Sequence, residues 1–409
     1  MRTGERLGRL AAAGRVVASA LPVDTNPVPR SWTHLTKVDP EDDKRLPLLY
    51  PRYLRWTDAV AVGGSTAVTP ANTEATFALL SAADRPVFHE PSDPTHVTER
   101  TMDAAAFIAI PQVLNGSTDA IVGDLGAGIE RVRERLAPAM VDERVPWWTP
   151  SVVRDALADA ATTWLLSTAA FEAYLVQNPD SAAAREAGVT AADVLGPAEA
   201  ARRAMVADRY LRAPVVYVEY SGTFGGRDAE RVVEAVGEAV SRARVWYGGG
   251  VASRDDAQGI LDAGADAVVV GDAFHEIASE EAAIFDRARE ALPGDASRTT
   301  VTDWLSDAAA GDTAAAAYLS TVPGVADPTR AARRLLVDTV TVWLRLRSVA
   351  AGTASDAALD RAVSTAGVRG ADTSEADDAA RRWSRAALGA VGGSPSEPLS
   401  TQLSPAGDR

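Results

Sequence analysis

The chain has no cysteine, and its 409 residues contain only two lysines, Lys37 and Lys44. Without thiols, disulfides, thiolate nucleophiles and cysteine-ligated metals are all excluded. Histidine is scarce too: four are scattered along the chain, which leaves no zinc-type spacing. His34 reads as a structural residue ahead of the first strand, and His275 belongs to no cluster. No stretch approaches the roughly 18–20 continuous apolar residues that span a bilayer. The N-terminus, MRTGERLGRLAAAGRVVASALP, has the outline of a signal peptide, but Arg15 interrupts it and residues 16–23 are too short for its apolar segment. The sequence therefore predicts a leader or short amphipathic helix over residues 1–30, on a soluble, cytoplasmic protein.

Positive charge is also in short supply. There are 41 basic side chains against 56 acidic ones, for a net charge of −15. Such a surface repels phosphodiester backbones, and no local basic patch offsets it, so no nucleic-acid partner is expected. Scarce lysine, excess Asp and Glu, and abundant Ala, Thr and Val fit a halophilic protein. Concentrated salt screens the self-repulsion that this charge otherwise causes. A GC-rich genome, favouring Arg, Ala and Gly codons, is the alternative source of the same bias.

What is present is a recurrent unit. Short β-branched runs lie at LTKV (35–38), DAVAVGGS (58–65), RPVFHEPS (85–92), AAFIAIPQ (105–112), EAYLVQNPD (172–180), APVVYVEYSG (213–222), RVWYGGG (244–250) and ADAVVVGD (265–272). Most are joined by Ala/Glu/Arg-rich segments with helical spacing, such as 227–243. Near-continuous apolar runs indicate strands buried on both faces. Eight strand-to-helix units predict a (β/α)8 TIM-type barrel over residues 31–290, with a doubly wound open sheet as the competing architecture. Residues 291–392 predict a helical C-terminal extension, with helices at 299–309, 332–351 and 374–391, packed on the barrel or on a partner subunit. Trp343 and Trp383 read as core residues of that extension. A role for it in homo-oligomer contacts or peripheral membrane docking is expected. The Pro/Ser/Gly-rich tail, 393–409, is expected to be disordered.

In such a barrel, chemistry collects where the strands end. Lys37 and Asp39 point the same way by two-residue alternation, as a structural ion pair or as an anion binder beside a cation ligand. Lysine is a compact point charge, so its retention where Arg is otherwise universal favours function at Lys37. Lys44, in the acidic run EDDKR, reads as a solvated surface residue. Asp39 suits Mg²⁺, and the hydroxyls of Ser65 and Thr66 after Gly63 and Gly64 can ligate Mg²⁺ or phosphate. On the sixth run, alternation puts Tyr217 and Glu219 on one face, and Glu219 is a candidate general base or a structural carboxylate in a barrel layer. Strands seven and eight end in YGGG and VVVGD, each feeding a helix, which predicts a phosphate cup of backbone N–H groups. Ser253 is placed to cap the helix after the first of these.

Taken together, the motifs resemble the geranylgeranylglyceryl phosphate synthase family and its heptaprenyl-transferring relatives. The shared features are H-x-x-K-[hydrophobic]-D-P (34–40), G-G-S followed by V-T, P-x-V-L-N (111–115), N-P-D (178–180), Y-[hydrophobic]-E-Y-S-G (217–222), Y-G-G-G and V-V-V-G. They run in order over roughly residues 32–285, about three-fifths of the chain. The resemblance implies Mg²⁺-dependent transfer of a geranylgeranyl group from geranylgeranyl diphosphate to the 3-hydroxyl of sn-glycerol 1-phosphate, the first ether-bond step of archaeal membrane lipids. It implies that Asp39 and Ser65 bind Mg²⁺. It also implies that Lys37, Tyr217, Val218, Glu219, Tyr220, Ser221, Gly222, Gly250, Gly271 and Asp272 hold glycerol phosphate, with Glu219 as the base. Two positions depart from the pattern. Ala67 stands for a glycine and Asp272 for an asparagine, and an acid beside a phosphate points to a backbone contact at 272. Another phosphate-binding barrel isomerase or synthase, or a non-catalytic barrel scaffold, is the alternative reading.

Overall fold

Each of the eight β-branched runs forms a strand. They are β1 (His34–Val38), β2 (Ala59–Val62), β3 (Val87–His89), β4 (Ala109–Val113), β5 (Ala170–Val176), β6 (Val215–Glu219), β7 (Arg244–Gly248) and β8 (Ala267–Val270). The structure, a computed structural model, describes residues 24, 26–41, 45–64, 66–117, 123–308, 313–350, 356–366 and 383. The predicted leader up to residue 23, the predicted helix 374–391 apart from Trp383, the predicted disordered tail, Lys44 and Ser65 lie outside the described residues. Every residue of β2, β6, β7 and β8 is buried, as strands covered on both faces must be.

All pairings are parallel, in the order β3-β2-β1-β8-β7-β6-β5-β4. A single bridge between His89 and Ile108 joins β3 to β4 and closes the ring. The fold is therefore a (β/α)8 barrel, and closure removes the open-sheet alternative, which has two free edges. Inward positions such as Leu35, Phe88, Val215, Trp246 and Val269 fill the bore. Outward positions such as Val60, Val216 and Val245 join the core beneath the helices.

The described end of the N-terminal segment seals the floor of the barrel. Val28 is fully buried among the inward residues. Asn26 Nδ2 donates to the carbonyls of Pro214 (2.8 Å) and Arg242 (3.0 Å), and Arg244 Nε donates to Val28 O at 3.1 Å.

The helical extension packs on the barrel where the barrel's own helix is weakest. After β1 only a short helix forms, Tyr50–Tyr53, followed by the 3-10 turn Leu54–Trp56. The helices Ala314–Thr321 and Pro328–Ala350 cover that gap. Tyr318 Oη lies 2.8 Å from Thr36 Oγ1 and Thr321 Oγ1 lies 3.0 Å from His34 Nε2, so both outward polar groups of β1 are satisfied by the extension. Trp343 stacks on Phe285 at 4.8 Å, Arg52 pairs with Asp338 at 2.6 Å, and Trp383 Nε1 donates to Leu48 O at 3.0 Å. Trp343 and Trp383 are thus core residues, shared between barrel and extension. No helix among the described residues is long and apolar enough to cross a membrane.

Candidate active site

The ladder brings the strand ends into register. Tyr174 of β5 lies beside Tyr217 of β6, Val176 beside Glu219, and Glu219 beside Gly248 of β7. Above them opens a cavity of about 360 Å³. Lys37, Asp39, Tyr217, Glu219, Ser221, Gly222, Gly250, Gly271 and Asp272 all line it, so sequence positions spread over more than 200 residues converge at one mouth. Val218 and Tyr220 do not line it. Strand alternation turns both side chains outward into the helix layer, where Tyr220 packs on Tyr247 with ring centroids 5.7 Å apart.

The charges inside are tightly interlocked. Lys37 Nζ is 3.2 Å from Glu90 Oε1, and the Tyr174 hydroxyl donates to the same oxygen. Tyr174 and Tyr217 stack at 4.4 Å, forming an aromatic wall. Burial alone would lower the Lys37 ammonium, but the carboxylates of Glu90, Glu219 and Asp39 outweigh it and hold the lysine above its usual range. Burial raises the Glu219 carboxyl, against the pull of Lys37 and the Ser221 hydrogen bonds. Ser221 N donates to Glu219 Oε1 at 2.9 Å and the Ser221 hydroxyl donates to the same atom, which aims the carboxylate. A carboxyl with a raised pKa, held by donors at the edge of a cavity, is a stronger proton acceptor than an ordinary carboxylate.

Sequence reasoning missed Glu90, Glu172, Tyr174 and His275. Glu172 sits deeper in the bore, fully buried, with neither oxygen in a hydrogen bond, and burial pushes its carboxyl well above the ordinary range. The signal was available: Glu172 and Tyr174 repeat on β5 the two-residue pairing of Tyr217 and Glu219 on β6. His275, at the start of the helix Asp272–Ala291, approaches Asp39 with Nδ1 to Oδ2 at 3.9 Å.

The glycine-rich turns shape the opposite rim. Gly250 has φ +52°, and a Cβ there would meet Phe224 N at 2.6 Å, so the backbone conformation and the close approach both demand glycine. A Cβ on Gly248 would collide with the Tyr217 hydroxyl. Ser253 caps the helix Arg254–Asp262, its hydroxyl accepting from Asp256 N at 3.1 Å. The helix Asp272–Ala291 opens at Asp272, whose N–H is among the first that a helix leaves without an internal acceptor. The turn Gly248–Val251 and the helix N-terminus at Asp272 therefore line one rim, where backbone N–H groups can attract a phosphate. Ala67, standing for a family glycine, keeps the glycine backbone, with φ +51°.

Among the described residues, no group of three or more His, Asp or Glu side chains could hold a metal ion. Asp39 is a partly exposed carboxylate at the mouth, close to Gly64, with Glu41 and Asp272 also in the lining. One carboxylate completed by substrate phosphates is a donor set that Mg²⁺ accepts, so the residues present fit that ion.

A second cavity, about 450 Å³, adjoins the first beside β4. Its walls are mostly apolar, including Phe107, Ile108, Ile110, Leu136, Leu165 and Leu166, with Glu99, Asp103, Arg131, Glu143 and Arg144 also lining it. It shares Ser92 and Pro111 with the charged one.

Comparison with known proteins agrees with this geometry. Residues 29–289 match the PcrB family. The geranylgeranylglyceryl phosphate synthase of Methanoregula boonei is 34% identical over 250 residues, 60% of this chain and 92% of its own. That of Methanoculleus marisnigri is 35% identical over 256 residues, again 60% of this chain and 92% of its own. Among solved structures, (S)-3-O-geranylgeranylglyceryl phosphate synthase from Thermoplasma acidophilum, in complex with sn-glycerol-1-phosphate, aligns with 60% of this chain and 86% of its own. Its identity is 22% and its TM-score 0.42, an overlap too loose to argue from.

Proposed function

The chain belongs to the PcrB family, and on that premise we propose that it is a prenyltransferase joining geranylgeranyl diphosphate to the 3-hydroxyl of sn-glycerol 1-phosphate, with Mg²⁺ as cofactor. One observation carries this reading: a charged cavity rimmed by glycine turns adjoins a mostly apolar cavity, and the two share Ser92 and Pro111. The pair matches one anionic polyol and one long hydrocarbon with an anionic end. An isomerase or synthase acting on a small phosphorylated metabolite has no use for the apolar half.

The residues divide the work. The backbone around Gly222, Gly250 and Asp272 receives the glycerol phosphate, with the Asp272 side chain excluded from that contact by charge. Lys37, held permanently charged, places a point charge at the floor of the cavity. Glu219 takes the proton of the glycerol hydroxyl as its oxygen bonds to the first carbon of the prenyl chain. The carbon–oxygen bond to diphosphate breaks in the same exchange, and diphosphate leaves with the electron pair. Asp39 and, by the family pattern, Ser65 would hold Mg²⁺, which when bound would supply positive charge to the departing diphosphate. The apolar cavity holds the chain and keeps water from the allylic carbon.

A transfer assay with labelled sn-glycerol 1-phosphate, geranylgeranyl diphosphate and Mg²⁺ in concentrated salt tests the proposal. A labelled ether lipid is expected. No product from protein that circular dichroism shows to be folded would sink it.

A further inference from the structure

We propose that the flank of the barrel carrying Trp147, Trp148 and Trp164 is a docking surface for a lipid bilayer. The helix Ser151–Thr168 buries only Ala161 and Thr162. Val153, Leu157, Ala160 and Trp164 recur at i, i+4, i+7 and i+11, so they share one narrow face, and all four are exposed. That spacing ordinarily marks the stripe a helix buries. Here Trp164 is 56% exposed, and in the turn before the helix Trp147 and Trp148 are 87% and 70% exposed. Val152 and Ile129 extend the exposed apolar area. A patch of this kind marks an interaction site rather than a surface that meets only water.

Three features identify a bilayer as its occupant. Tryptophan is the side chain enriched at the membrane–water interface, and three of the nine in the chain lie on this flank. Trp164 also lines the apolar cavity together with Leu165 and Leu166, so the exposed patch is continuous with the hydrocarbon compartment. In this respect the inference rests on the function proposed above. The product is itself a lipid, and passing it directly from cavity to bilayer spares its chain from water. Finally, the neighbouring charges neutralise one another: Arg154 pairs with Asp142, and Arg144 pairs with Glu143 at 3.4 Å. Contact is therefore carried by apolar insertion, not by attraction to anionic headgroups, and it persists in concentrated salt.

Flotation of the full-length protein with vesicles of phosphatidylglycerol and phosphatidylcholine, at about 0.1 M and about 2 M NaCl, tests this. The protein is expected to float at both salt concentrations. The double variant Trp147→Ser, Trp148→Ser, and separately Leu157→Asp, are each expected to lower the bound fraction at least about tenfold while transfer activity stays unchanged. Wild-type protein that stays at the bottom, binding lost at high salt, or variants that float normally would each overturn the proposal. So would a second copy as the occupant, seen as a dimer that these variants convert to monomer in sedimentation velocity. Flotation needs no catalysis, so a failed transfer assay with retained flotation overturns the activity and leaves the surface standing.

Discussion

The charged cavity and the apolar cavity share Ser92 and Pro111, yet different parts of the fold build them. The charged one rests on strand ends locked in register, where Tyr174 faces Tyr217 and Glu219 faces Gly248. The apolar one lies between β4 and the helices Asp124–Arg131, Ala137–Arg144 and Ser151–Thr168, joined by a small core of Ala137, Val141 and Ala161. Proton transfer and phosphate binding depend on tenths of an ångström, so they need the stiffest element available. Holding a hydrocarbon requires only that water be excluded, and loosely packed helices suffice. The weakest seam of the barrel, the single bridge between β3 and β4, lies on the apolar side.

Substitutions confined to one cavity should leave the other's property untouched. The largest effect is expected at Glu219. Glu219→Gln should lower kcat about 10²- to 10⁴-fold while leaving the preferred prenyl chain length unchanged. In the wild type, only the deprotonated carboxylate accepts a proton. Because burial raises its pKa, activity should climb with pH through a midpoint above the ordinary Glu value of 4.5. A pH profile that is flat across the acid range would remove Glu219 from the base role. Next is Lys37→Met, which leaves Glu90 buried without its partner and should cost about 3–5 kcal/mol in urea unfolding. On the apolar side, Leu166→Trp fills part of the cavity. It should raise KM for geranylgeranyl diphosphate about tenfold, favour shorter prenyl diphosphates, and leave KM for glycerol phosphate unchanged. A matching rise in both KM values would mean that the two cavities are not separable. The smallest effect is expected at the lip of the charged cavity, where Ala67→Gly relieves a left-handed backbone and should stabilise the fold by about 1 kcal/mol.

Much of the barrel and part of its site were legible in the sequence. Lys37 stood out because lysine is otherwise almost absent, and Glu219 because it interrupts an apolar run at a strand end. The glycine run after β7 was legible as a turn, and the structure gives the reason at Gly250, with φ +52° and backbone atoms close around it. Gly271 after β8 has φ −111° and opens a helix instead. Glu90 was not, because a carboxylate after a short strand looks like any solvated turn until β3 is placed next but one to β1 in the ring, which brings Glu90 to Lys37. Val218 and Tyr220 entered the predicted site by membership in a motif, although alternation alone assigns their side chains to the outer face. The extension reads in the sequence as a helical bundle packed on the barrel or on a partner subunit. Its packing is on the barrel, since Tyr318 and Trp383 are fully buried and bond to Thr36 and Leu48 of the barrel.

By itself the sequence determined the eight parallel strands, the acidic surface and the residue types at each strand end. Those follow from local pattern, because hydrophobic period, turn residues and charge are properties of neighbouring positions. Only the tertiary structure decided that Lys37, Glu90 and Glu219 share one low-dielectric cavity, that an apolar chamber adjoins it, and that a tryptophan-bearing helix face remains uncovered. Each of those depends on which distant segments meet, and ring closure across some 240 residues is what brings β8 back beside β1.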